Sequence, residues 1–264
     1  MSNTDWLGLG GKIAIVTGAA GGMGRAIATS FVDAGCAVAL LDREMDALRS
    51  LERQLLDAGG RVTAILCDTG SEGSIADAAL ASADRIGPAD ILVNNAGILR
   101  PGALASLPLE EWNTLLTVNL TGYLLCAQAF RHQMIGRGGA MVHIASIAAS
   151  NPQPRSGAYS PSKAAVAMLS RQLALEWGPD GIRSNIVSPG FIRTPMSESF
   201  YQQPDVKERR EKMLPSRRIG TPQDIADAVT FLASPRSSYV NGAELLVDGG
   251  LDQVMMELTP RPGF

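Results

Sequence analysis

The residue type changes twice along the segment Lys12-Ile13-Ala14-Ile15-Val16-Thr17-Gly18-Ala19-Ala20-Gly21-Gly22-Met23-Gly24-Arg25. Its first part, 12–17, is mostly apolar and β-branched, which is typical of a buried parallel strand. The glycines that follow allow a tight turn and a close approach of the backbone to a bound group, and a helical pattern begins at Arg25. Strand, glycine turn and helix in this order predict a cradle of backbone N–H groups for a phosphate. A glycine-rich turn that binds nothing is the alternative for this segment alone.

The rest of the chain continues this alternation of strands and helices. Apolar runs predict strands at about 12–17, 36–41, 61–67, 90–93, 139–145, 182–188 and 243–247. Helical patterns fill the gaps at about 23–34, 44–58, 72–85, 109–135, 157–177 and 222–233. Such alternation is typical of an α/β fold with right-handed crossovers. We therefore expect residues 1–264 to form a single doubly wound, Rossmann-like domain, with a mainly parallel sheet of about seven strands and helices on both faces.

Two segments depart from the alternation. Residues 191–218 are rich in polar and charged residues and follow the sixth predicted strand. They are expected to form a mobile lid over a substrate. Residues 251–264 form a C-terminal tail with several large apolar side chains, which a disordered tail ordinarily lacks. We expect the tail to pack across a subunit boundary, with packing on its own subunit as the alternative.

The composition is that of an ordinary soluble protein, with 45% hydrophobic residues and a net charge of −3. This balance does not favour nucleic-acid binding, which would need a basic face. No apolar run is long enough to span a membrane, and the first residues lack the basic and apolar regions of a signal peptide. Three scattered cysteines indicate reduced core thiols in a cytoplasmic protein. With two histidines and no Cys or His cluster, no metal site is expected.

Tyr159 precedes Lys163 by four residues, in the run Tyr159-Ser160-Pro161-Ser162-Lys163. Residues at this spacing share one face of a helix, so the Lys163 ammonium is expected near the Tyr159 phenol. A nearby positive charge favours the phenolate and lowers the pKa of the phenol towards neutral pH. A tyrosine of this kind can exchange a proton with an alcohol oxygen. Because Tyr and Lys also occur at this spacing by chance, the pair needs support from its surroundings.

Ser146 ends the apolar run 140–145, which is predicted to be a buried parallel strand. Open α/β sheets bind ligands at the carboxyl edge of their strands, so Ser146 is expected at that edge. His143 lies inside the same strand. We interpret it as a buried, hydrogen-bonded histidine rather than a catalytic one.

Taken in order, these motifs make the chain similar to the short-chain dehydrogenase/reductase family. The family's cofactor loop matches Thr17, Gly18, Gly22 and Gly24. Its Asn-Asn-Ala-Gly motif matches residues 94–97, and its catalytic residues match Asn119, Ser146, Tyr159 and Lys163. Its Pro-Gly pair after the sixth strand matches Pro189 and Gly190, with Ile192 and Thr194 beyond. The order and spacings agree over roughly residues 10–250.

The resemblance implies a nicotinamide dinucleotide site at the carboxyl edge. Asp42, after the run 38–41, would accept hydrogen bonds from the adenosine ribose and repel a 2′-phosphate, which favours NAD over NADP. Arg43 could instead pair with a 2′-phosphate. Asp68 would bind the adenine amino group, or cap a helix or turn before Ser71. The residues assigned to the cofactor are Gly18, Gly22, Met23, Gly24, Asp42, Arg43, Asp68, Asn95, Ala96, Gly97, Tyr159, Lys163, Pro189, Gly190, Ile192 and Thr194.

The resemblance also implies chemistry on a secondary alcohol or ketone. Tyr159 would take the hydroxyl proton while a hydride passes to the nicotinamide, and Ser146 would hold the substrate oxygen. Lys163 would lower the pKa of Tyr159 and hold the nicotinamide ribose. Asn119, a mediocre helix former inside a predicted helix, suits a local kink. Its carbonyl or side chain would bind a water that relays protons to Lys163.

The substrate pocket is expected to combine polar and apolar side chains. This mixture suits a secondary alcohol on a polyol, sugar, small ring or hydroxy acid. An NADPH-dependent ketone or 3-ketoacyl reductase is the alternative enzyme, and a dinucleotide-sensing regulator without turnover is the alternative of another class. The expected partners are this small molecule and further copies of the chain, in a homotetramer. The lining residues are predicted to be Ser146, Asn151, Gln153, Arg155, Phe191, Met196 and Tyr201.

Overall fold

The structure, a computed structural model that describes residues 6–195 and 197–258, contains one seven-stranded sheet in the order β3-β2-β1-β4-β5-β6-β7. Every neighbouring pair of strands is parallel. Each strand agrees with its predicted range to within one residue, and the predicted doubly wound α/β fold is confirmed. The strands are β1 (Ile13–Thr17), β2 (Ala37–Asp42), β3 (Arg61–Leu66), β4 (Ile91–Asn94), β5 (Gly139–Ile144), β6 (Ile182–Pro189) and β7 (Glu244–Val247).

Helices cover both faces of the sheet because successive strand residues point to opposite sides. In β2, Val38 and Leu40 join a core with α1, α2 and α9, whereas Ala39 and Leu41 join a core with α3, α5 and α6. The helices are α1 (Gly22–Asp33), α2 (Met45–Asp57), α3 (Glu72–Ile86), α4 (Leu109–Leu116), α5 (Gly122–Met134), α6 (Tyr159–Trp177), α7 (Glu198–Tyr201), α8 (Val206–Met213) and α9 (Pro222–Ala233).

The order of the strands reverses at β1. This strand pairs with β2 on one side and with β4 on the other. The crevice outside the carboxyl ends of strands at such a point is where open α/β sheets bind ligands. The loops that follow β1, β2, β4 and β5 carry the predicted motifs, and all of them leave the sheet at this edge.

One predicted helix is interrupted. Instead of a continuous helix over 109–135, a π-helical turn (Thr117–Thr121) separates α4 from α5. A π turn holds an extra residue and occurs frequently at functional sites. The kink expected at Asn119 is therefore present as a π turn.

The two irregular segments contain short helices. The segment 191–218 holds α7 and α8 and lies between β6 and α9. The tail begins with a 3₁₀ helix (Leu251–Leu258), in which the amide of Asp252 donates to a carboxylate oxygen of Asp248 (2.7 Å). Asp252 also accepts a hydrogen bond from Asn151 of the same chain. The described part of the tail thus contacts its own subunit, and residues 259–264 lie outside the described residues.

The three cysteines, Cys36, Cys67 and Cys126, are buried and form no disulfide. Burial raises the pKa of Cys36 to about 12 and that of Cys67 to about 11. These thiols are therefore neutral and unreactive near neutral pH. Within the described ranges, none of the helices has both the length and the apolar character that a membrane crossing requires.

Candidate active site

The turn between β1 and α1 leaves no room for side chains at two of its glycines. A Cβ at Gly24 would lie 2.1 Å from the carbonyl oxygen of Gly18. A Cβ at Gly18 would lie 2.8 Å from the Cα of Ala96, and Gly18 has a φ of 65°. Only glycine therefore allows α1 to begin this close to the end of β1 and to the loop after β4.

Thr17 joins the glycine turn to the loop after β4. Its hydroxyl donates to the carbonyl of Val93 (3.2 Å) and accepts the amides of Asn95 (3.0 Å) and Ala96 (3.1 Å). The Asn95 side chain donates to the carbonyl oxygens of Thr17 (2.9 Å) and Gly18 (3.1 Å). This role of Thr17 was not predicted, although a hydroxyl at the end of a buried strand signals a polar group that needs partners.

A cavity of about 410 Å³ lies beside this turn. Residues that were not predicted also line it, among them Glu44, Thr69 and Pro195. Of the predicted cofactor residues, Tyr159, Lys163, Pro189, Gly190 and Ile192 lie outside this lining. The predicted residues that do line the cavity are Gly18, Gly22, Met23, Gly24, Asp42, Arg43, Asp68, Asn95, Ala96, Gly97 and Thr194.

The N-terminus of α1 faces this cavity without a side-chain cap. Gly21 occupies the cap position, and the first turn of α1 has no acidic residue. By contrast, α9 has a complete capping box from Thr221 and Asp224, and α3 is capped by the hydroxyl of Ser71. The partial positive charge at the start of α1 is thus left for an anion. This cradle fits the pyrophosphate of a nicotinamide dinucleotide.

Asp42 ends β2 at the same cavity. One of its carboxylate oxygens accepts the amide of Ala20 (3.0 Å) and the other accepts the amide of Glu44 (3.2 Å). The carboxylate is therefore positioned by the glycine turn itself. Arg43, next along the chain, has its Nε 3.4 Å from a carboxylate oxygen of Glu44, in an ion pair whose side chains are both exposed.

Several other polar residues at the strand ends have structural partners. Asp68 accepts the amide two residues further on (2.8 Å), so the turn-capping alternative for this residue is present, although Asp68 also lines the cavity. The Asn94 side chain contacts the carbonyl of Tyr123 (3.0 Å) and Nδ1 of His143 (3.2 Å). His143 also contacts the hydroxyl of Ser184 (3.1 Å), and its burial lowers the pKa to about 4. His143 is therefore a neutral, hydrogen-bonded core residue.

Ser146, Tyr159 and Lys163 come together at the carboxyl end of β5. Ser146 caps a short 3₁₀ turn, and its hydroxyl accepts the amide of Ala148 (3.1 Å). Tyr159 and Lys163 lie in the first turns of α6. The Lys163 Nζ lies 5.7 Å from the centroid of the Tyr159 ring and donates to the carbonyl of Ile144 (2.8 Å). The spacing of residues 159 and 163 thus produces the proximity that the sequence predicts.

Burial controls the protonation of this cluster. Desolvation raises the pKa of the Tyr159 phenol, and a hydrogen bond with Ser146 opposes the rise. Desolvation also lowers the pKa of Lys163 to about 7. The sequence predicts a lowered pKa for Tyr159, and the structure gives the opposite direction. The reason is the large free-energy cost of burying a phenolate. Lys163 is itself partly deprotonated near neutral pH, so its charge does not offset that cost.

Asn119 lies in the π turn and clamps the chain after β4. Its Oδ1 accepts the amide of Ile98 (2.8 Å), and its Nδ2 donates to the carbonyl of Ile98 (2.9 Å) and to the hydroxyl of Ser162 (3.4 Å). Both hydrogens of Nδ2 are engaged, whereas Oδ1 accepts one hydrogen bond and has a second lone pair. This lone pair and the backbone carbonyl of Asn119 are the groups left for the predicted relay water.

The predicted substrate residues after β5 lie in an exposed loop, residues 151–155, which forms the substrate rim. Asn151 donates to the carboxylate of Asp252, which joins this loop to the tail. The amide of Gln153 donates to a hydroxyl of α6 (3.1 Å). Arg155 has a φ of 58°, and its carbonyl accepts the amide of Gly102 (3.0 Å). The backbone of this rim is fixed, whereas the side chains of Gln153 and Arg155 are exposed.

The segment 191–218 contains a cluster of aromatic rings around Arg210. The guanidinium carbon lies 4.6 Å from the centroid of Phe191, 5.1 Å from that of Tyr201 and 5.4 Å from that of Phe200. Phe191 and Tyr201, both predicted substrate residues, are therefore brought together. Arg210 was not among the predicted site residues, and Met196 lies outside the described residues.

Most of the chain matches known proteins. Residues 18–252 match the family model described as enoyl-(acyl carrier protein) reductase. The chain is 38% identical over 243 residues to 2-(R)-hydroxypropyl-CoM dehydrogenase of Xanthobacter autotrophicus, covering 90% of this chain and 97% of that protein. It is also 38% identical over 243 residues to D-threitol dehydrogenase of Mycolicibacterium smegmatis, covering 92% of this chain and 93% of that protein. The solved structure of a gluconate 5-dehydrogenase from Burkholderia cenocepacia, in complex with NADP and tartrate, has a TM-score of 0.89 at 32% identity, covering 95% of this chain and 98% of that one.

The chain belongs to the short-chain dehydrogenase/reductase family. It is an oxidoreductase of secondary alcohols and ketones, and its family binds nicotinamide dinucleotides. The resemblance noted in the sequence is thereby confirmed.

Proposed function

We propose that the chain is an NAD-dependent dehydrogenase in which Tyr159 exchanges the proton of a secondary alcohol or ketone. The observation that carries the proposal is the convergence of Ser146, Tyr159 and Lys163 at the end of β5. These residues lie at the same sheet edge as the uncapped N-terminus of α1 and the carboxylate of Asp42. A dinucleotide cradle and a proton donor on one edge are what hydride exchange requires.

The nicotinamide, when bound, accepts or supplies the hydride. Tyr159 donates its proton to the carbonyl oxygen in reduction, and as phenolate takes the hydroxyl proton in oxidation. Ser146 holds the substrate oxygen through its hydroxyl and stabilises charge that develops there. Lys163 favours the phenolate and, by resemblance, holds the nicotinamide ribose. The Asn119 carbonyl is the proposed holder of a relay water.

The proposed preference for NAD over NADP rests on Asp42. Its carboxylate is fixed by the amide of Ala20 at the place where β2 meets the glycine turn. A negative charge fixed there would repel a 2′-phosphate and accept hydrogen bonds from ribose hydroxyls. Arg43 pairs with Glu44, which leaves it less able to attract a phosphate. The related gluconate 5-dehydrogenase structure holds NADP, and the ratio of kcat/KM for NAD to that for NADP tests the preference in this chain.

The proposed substrate carries a secondary hydroxyl on a polyol, sugar, small ring or hydroxy acid. The names of the relatives support this class, since they include a D-threitol and a gluconate dehydrogenase. The exposed, polar rim at Asn151, Gln153 and Arg155 is consistent with hydroxyl-rich or acidic substrates. The segment 191–218 is proposed as the lid over this substrate.

The proposed assembly is a homotetramer in the cytoplasm. Edge strand β7 leaves Leu245 and Leu246 partly exposed, and α6 exposes Met168 and Leu175, which are apolar surfaces suited to contacts between copies of the chain. The unpaired, buried cysteines support a reducing compartment. Light scattering of the purified protein measures the assembly, and a monomer at micromolar concentration would contradict it.

The test is a panel of alcohols, polyols, sugars and ketones with each cofactor, followed by the absorbance of the reduced nicotinamide. The parent protein is expected to oxidise at least one secondary alcohol with NAD. Tyr159→Phe is expected to lose a factor of about 10²–10⁴ in kcat while NAD affinity, measured by calorimetry, stays within a few-fold. A purified Tyr159→Phe protein with near-parental activity would reject the role of Tyr159.

The same panel separates the alternatives. Higher kcat/KM with NADPH and a ketone or 3-ketoacyl substrate would favour the reductase. NAD binding without turnover of any compound would favour the sensing regulator. The intact set of Asn119, Ser146, Tyr159 and Lys163 argues against a regulator, because a sensor has no need of a proton donor.

A further inference from the structure

A second tyrosine, Tyr123, lies beneath the catalytic lysine. It is the second residue of α5 and is 1% exposed. A π turn, which contains one residue more than an α-helical turn, comes directly before α5.

The hydroxyl of Tyr123 and the ammonium of Lys163 share one acceptor. Tyr123 Oη donates to the carbonyl of Ile144 (3.1 Å), and Lys163 Nζ donates to the same carbonyl (2.8 Å). Nζ also lies 3.5 Å from Tyr123 Oη, to which it donates, and 5.3 Å from the centroid of the Tyr123 ring. Because Nζ is 5.7 Å from the Tyr159 ring, the ammonium lies between two tyrosine rings.

Tyr123 itself is held rigidly. Its carbonyl accepts the side chain of Asn94 (3.0 Å), and its ring stacks on His143 with the centroids 6.1 Å apart. The position of its hydroxyl is therefore fixed by β4, β5 and α5 together. Such a group can orient a flexible lysine side chain without moving in response to it.

The other groups around Lys163 carry no compensating charge. His143 is neutral because burial lowers its pKa to about 4, and burial raises the pKa of the thiol of Cys126 on α5. Asn119, from the π turn, is uncharged. Among the described residues, Asp90 is the one buried carboxylate, and it precedes β4 at the opposite edge of the sheet. The charged form of Lys163 therefore depends on uncharged acceptors and aromatic faces.

We propose that Tyr123 is a positioning residue, whose hydroxyl and ring hold Lys163 in its charged form beside Tyr159. An acceptor oxygen and an aromatic face both favour a buried ammonium over the neutral amine. The inference rests on the proposed function only in assigning Tyr159 as the proton-exchanging group.

The direction of the effect follows from the burial of the ammonium. Loss of the Tyr123 hydroxyl removes an acceptor from the Lys163 ammonium, so the neutral amine is favoured and the pKa of Lys163 falls. The fall is larger in Tyr123→Leu, which also lacks the aromatic face. Because burial already lowers the pKa of Lys163 to about 7, the change lies in a pH range that can be titrated.

The experiment titrates the Lys163 amine by NMR of protein labelled with ¹³C at the lysine Cε, and it needs no turnover. The signal of Lys163 is assigned by its absence from Lys163→Met. We expect Tyr123→Phe to lower the titration midpoint of Lys163 by about half a pH unit, and Tyr123→Leu by more.

Phe130→Leu is the matched control. Phe130 is a fully buried aromatic residue of the same helix and joins the core formed with α3 and α6. It should lower Tm without moving the Lys163 midpoint. A midpoint unchanged in both Tyr123 variants, raised in either, or lowered equally by Phe130→Leu would overturn the proposal. If the panel finds no substrate but the midpoint still falls in both Tyr123 variants, the proposed function fails and the positioning role stands.

Discussion

The cofactor cavity and the segment 191–218 lie at the same edge of the sheet, yet they are held by different kinds of contact. Around the cavity, hydrogen bonds connect buried backbone groups to Thr17, Asn95 and Asp42. In the segment 191–218, the main contacts are a guanidinium packed on aromatic rings and exposed ion pairs such as Arg193 with Glu198. The hydrogen bonds around the cavity hold the atoms in one arrangement. The exposed ion pairs and ring contacts of the segment 191–218 can rearrange at little cost in free energy.

Backbone conformation shows the same difference. The cofactor side uses glycine where φ is positive, as at Gly18. Among the described residues, the non-glycine residues with positive φ are Arg155, Asp205 and Arg217, one on the substrate rim and two in the segment 191–218. Strain of this kind concentrates at ligand clamps and switch regions. We therefore predict a rigid half around the cavity, which would position the cofactor, and an adaptable half in the segment 191–218, which would select the substrate.

Gly24→Ala should have the largest effect on the rigid half. The added methyl group would lie 2.1 Å from the carbonyl of Gly18, so the turn or the helix must shift. We expect a loss of about 1–3 kcal/mol in the free energy of unfolding and a fall in NAD affinity of more than about tenfold. Chemical denaturation and calorimetry measure the two quantities.

Gly73→Ala is the control for Gly24→Ala. Gly73 lies in the first turn of α3, and a Cβ there would meet no atom within 4 Å. Alanine is the better helix former, so stability should be unchanged or slightly higher and NAD affinity unaffected. Equal behaviour of the two variants would show that the glycine turn is not closely packed, and the contrast between the two regions would fail.

Asp42→Ala should have an intermediate effect, confined to cofactor choice. Removing the carboxylate removes its repulsion of a 2′-phosphate and its ribose hydrogen bonds. We expect the ratio of kcat/KM for NAD to that for NADP to fall by about tenfold or more, since each hydrogen bond to a charged group contributes about 1.5–3 kcal/mol. Asp42→Ala also removes the acceptor of the Ala20 amide. A looser glycine turn affects the binding of both cofactors, so this effect cancels in the ratio.

Asp46→Ala separates this specific effect from net charge. Asp46 is an exposed carboxylate in the first turn of α2 and does not line the cavity. Its loss changes net charge as Asp42→Ala does, but should alter the cofactor ratio little. If Asp42→Ala leaves the ratio unchanged, or Asp46→Ala changes it equally, Asp42 does not face the ribose.

The fold and the cofactor side could be predicted because their signals are local in sequence. Strand ranges follow from apolar runs, and the glycine turn follows from steric requirements that only glycine meets. Gly18, Gly24 and Asp42 accordingly all line the cavity. Lys163 was placed near Tyr159 by helix geometry alone.

The properties that could not be predicted depend on contacts between distant segments. The direction of the pKa change at Tyr159 depends on how deeply the fold buries it, which spacing does not reveal. Tyr123 was missed because its role depends on contacts with Lys163 and with the carbonyl of Ile144. Arg210 was missed because its aromatic partners belong to the loop after β6 and to α7. The link between Asn151 and Asp252 joins residues that only the folded chain brings together.

Arg210→Ala should have the smallest effect, and it tests the adaptable half. The guanidinium contacts the rings of Phe191, Phe200 and Tyr201, and such contacts contribute about 0.5–1 kcal/mol each at partly exposed sites. Their loss should loosen the segment 191–218 and raise KM for the alcohol by about threefold to tenfold. The Kd for NAD and the Tm should change little, because the cofactor cavity is held by separate contacts.

Arg209→Ala is the matched control for this last prediction. Arg209 is the preceding residue of α8 and is exposed, so its loss removes the same charge without disturbing the rings. A rise in KM with Arg210→Ala alone would show that the aromatic cluster, rather than net charge, shapes the substrate side. An equal rise in both variants would indicate general attraction of an acidic substrate instead. A matching loss of NAD affinity in Arg210→Ala would mean that the segment 191–218 and the cavity are one mechanical unit, because contacts that are independent cannot transmit the change.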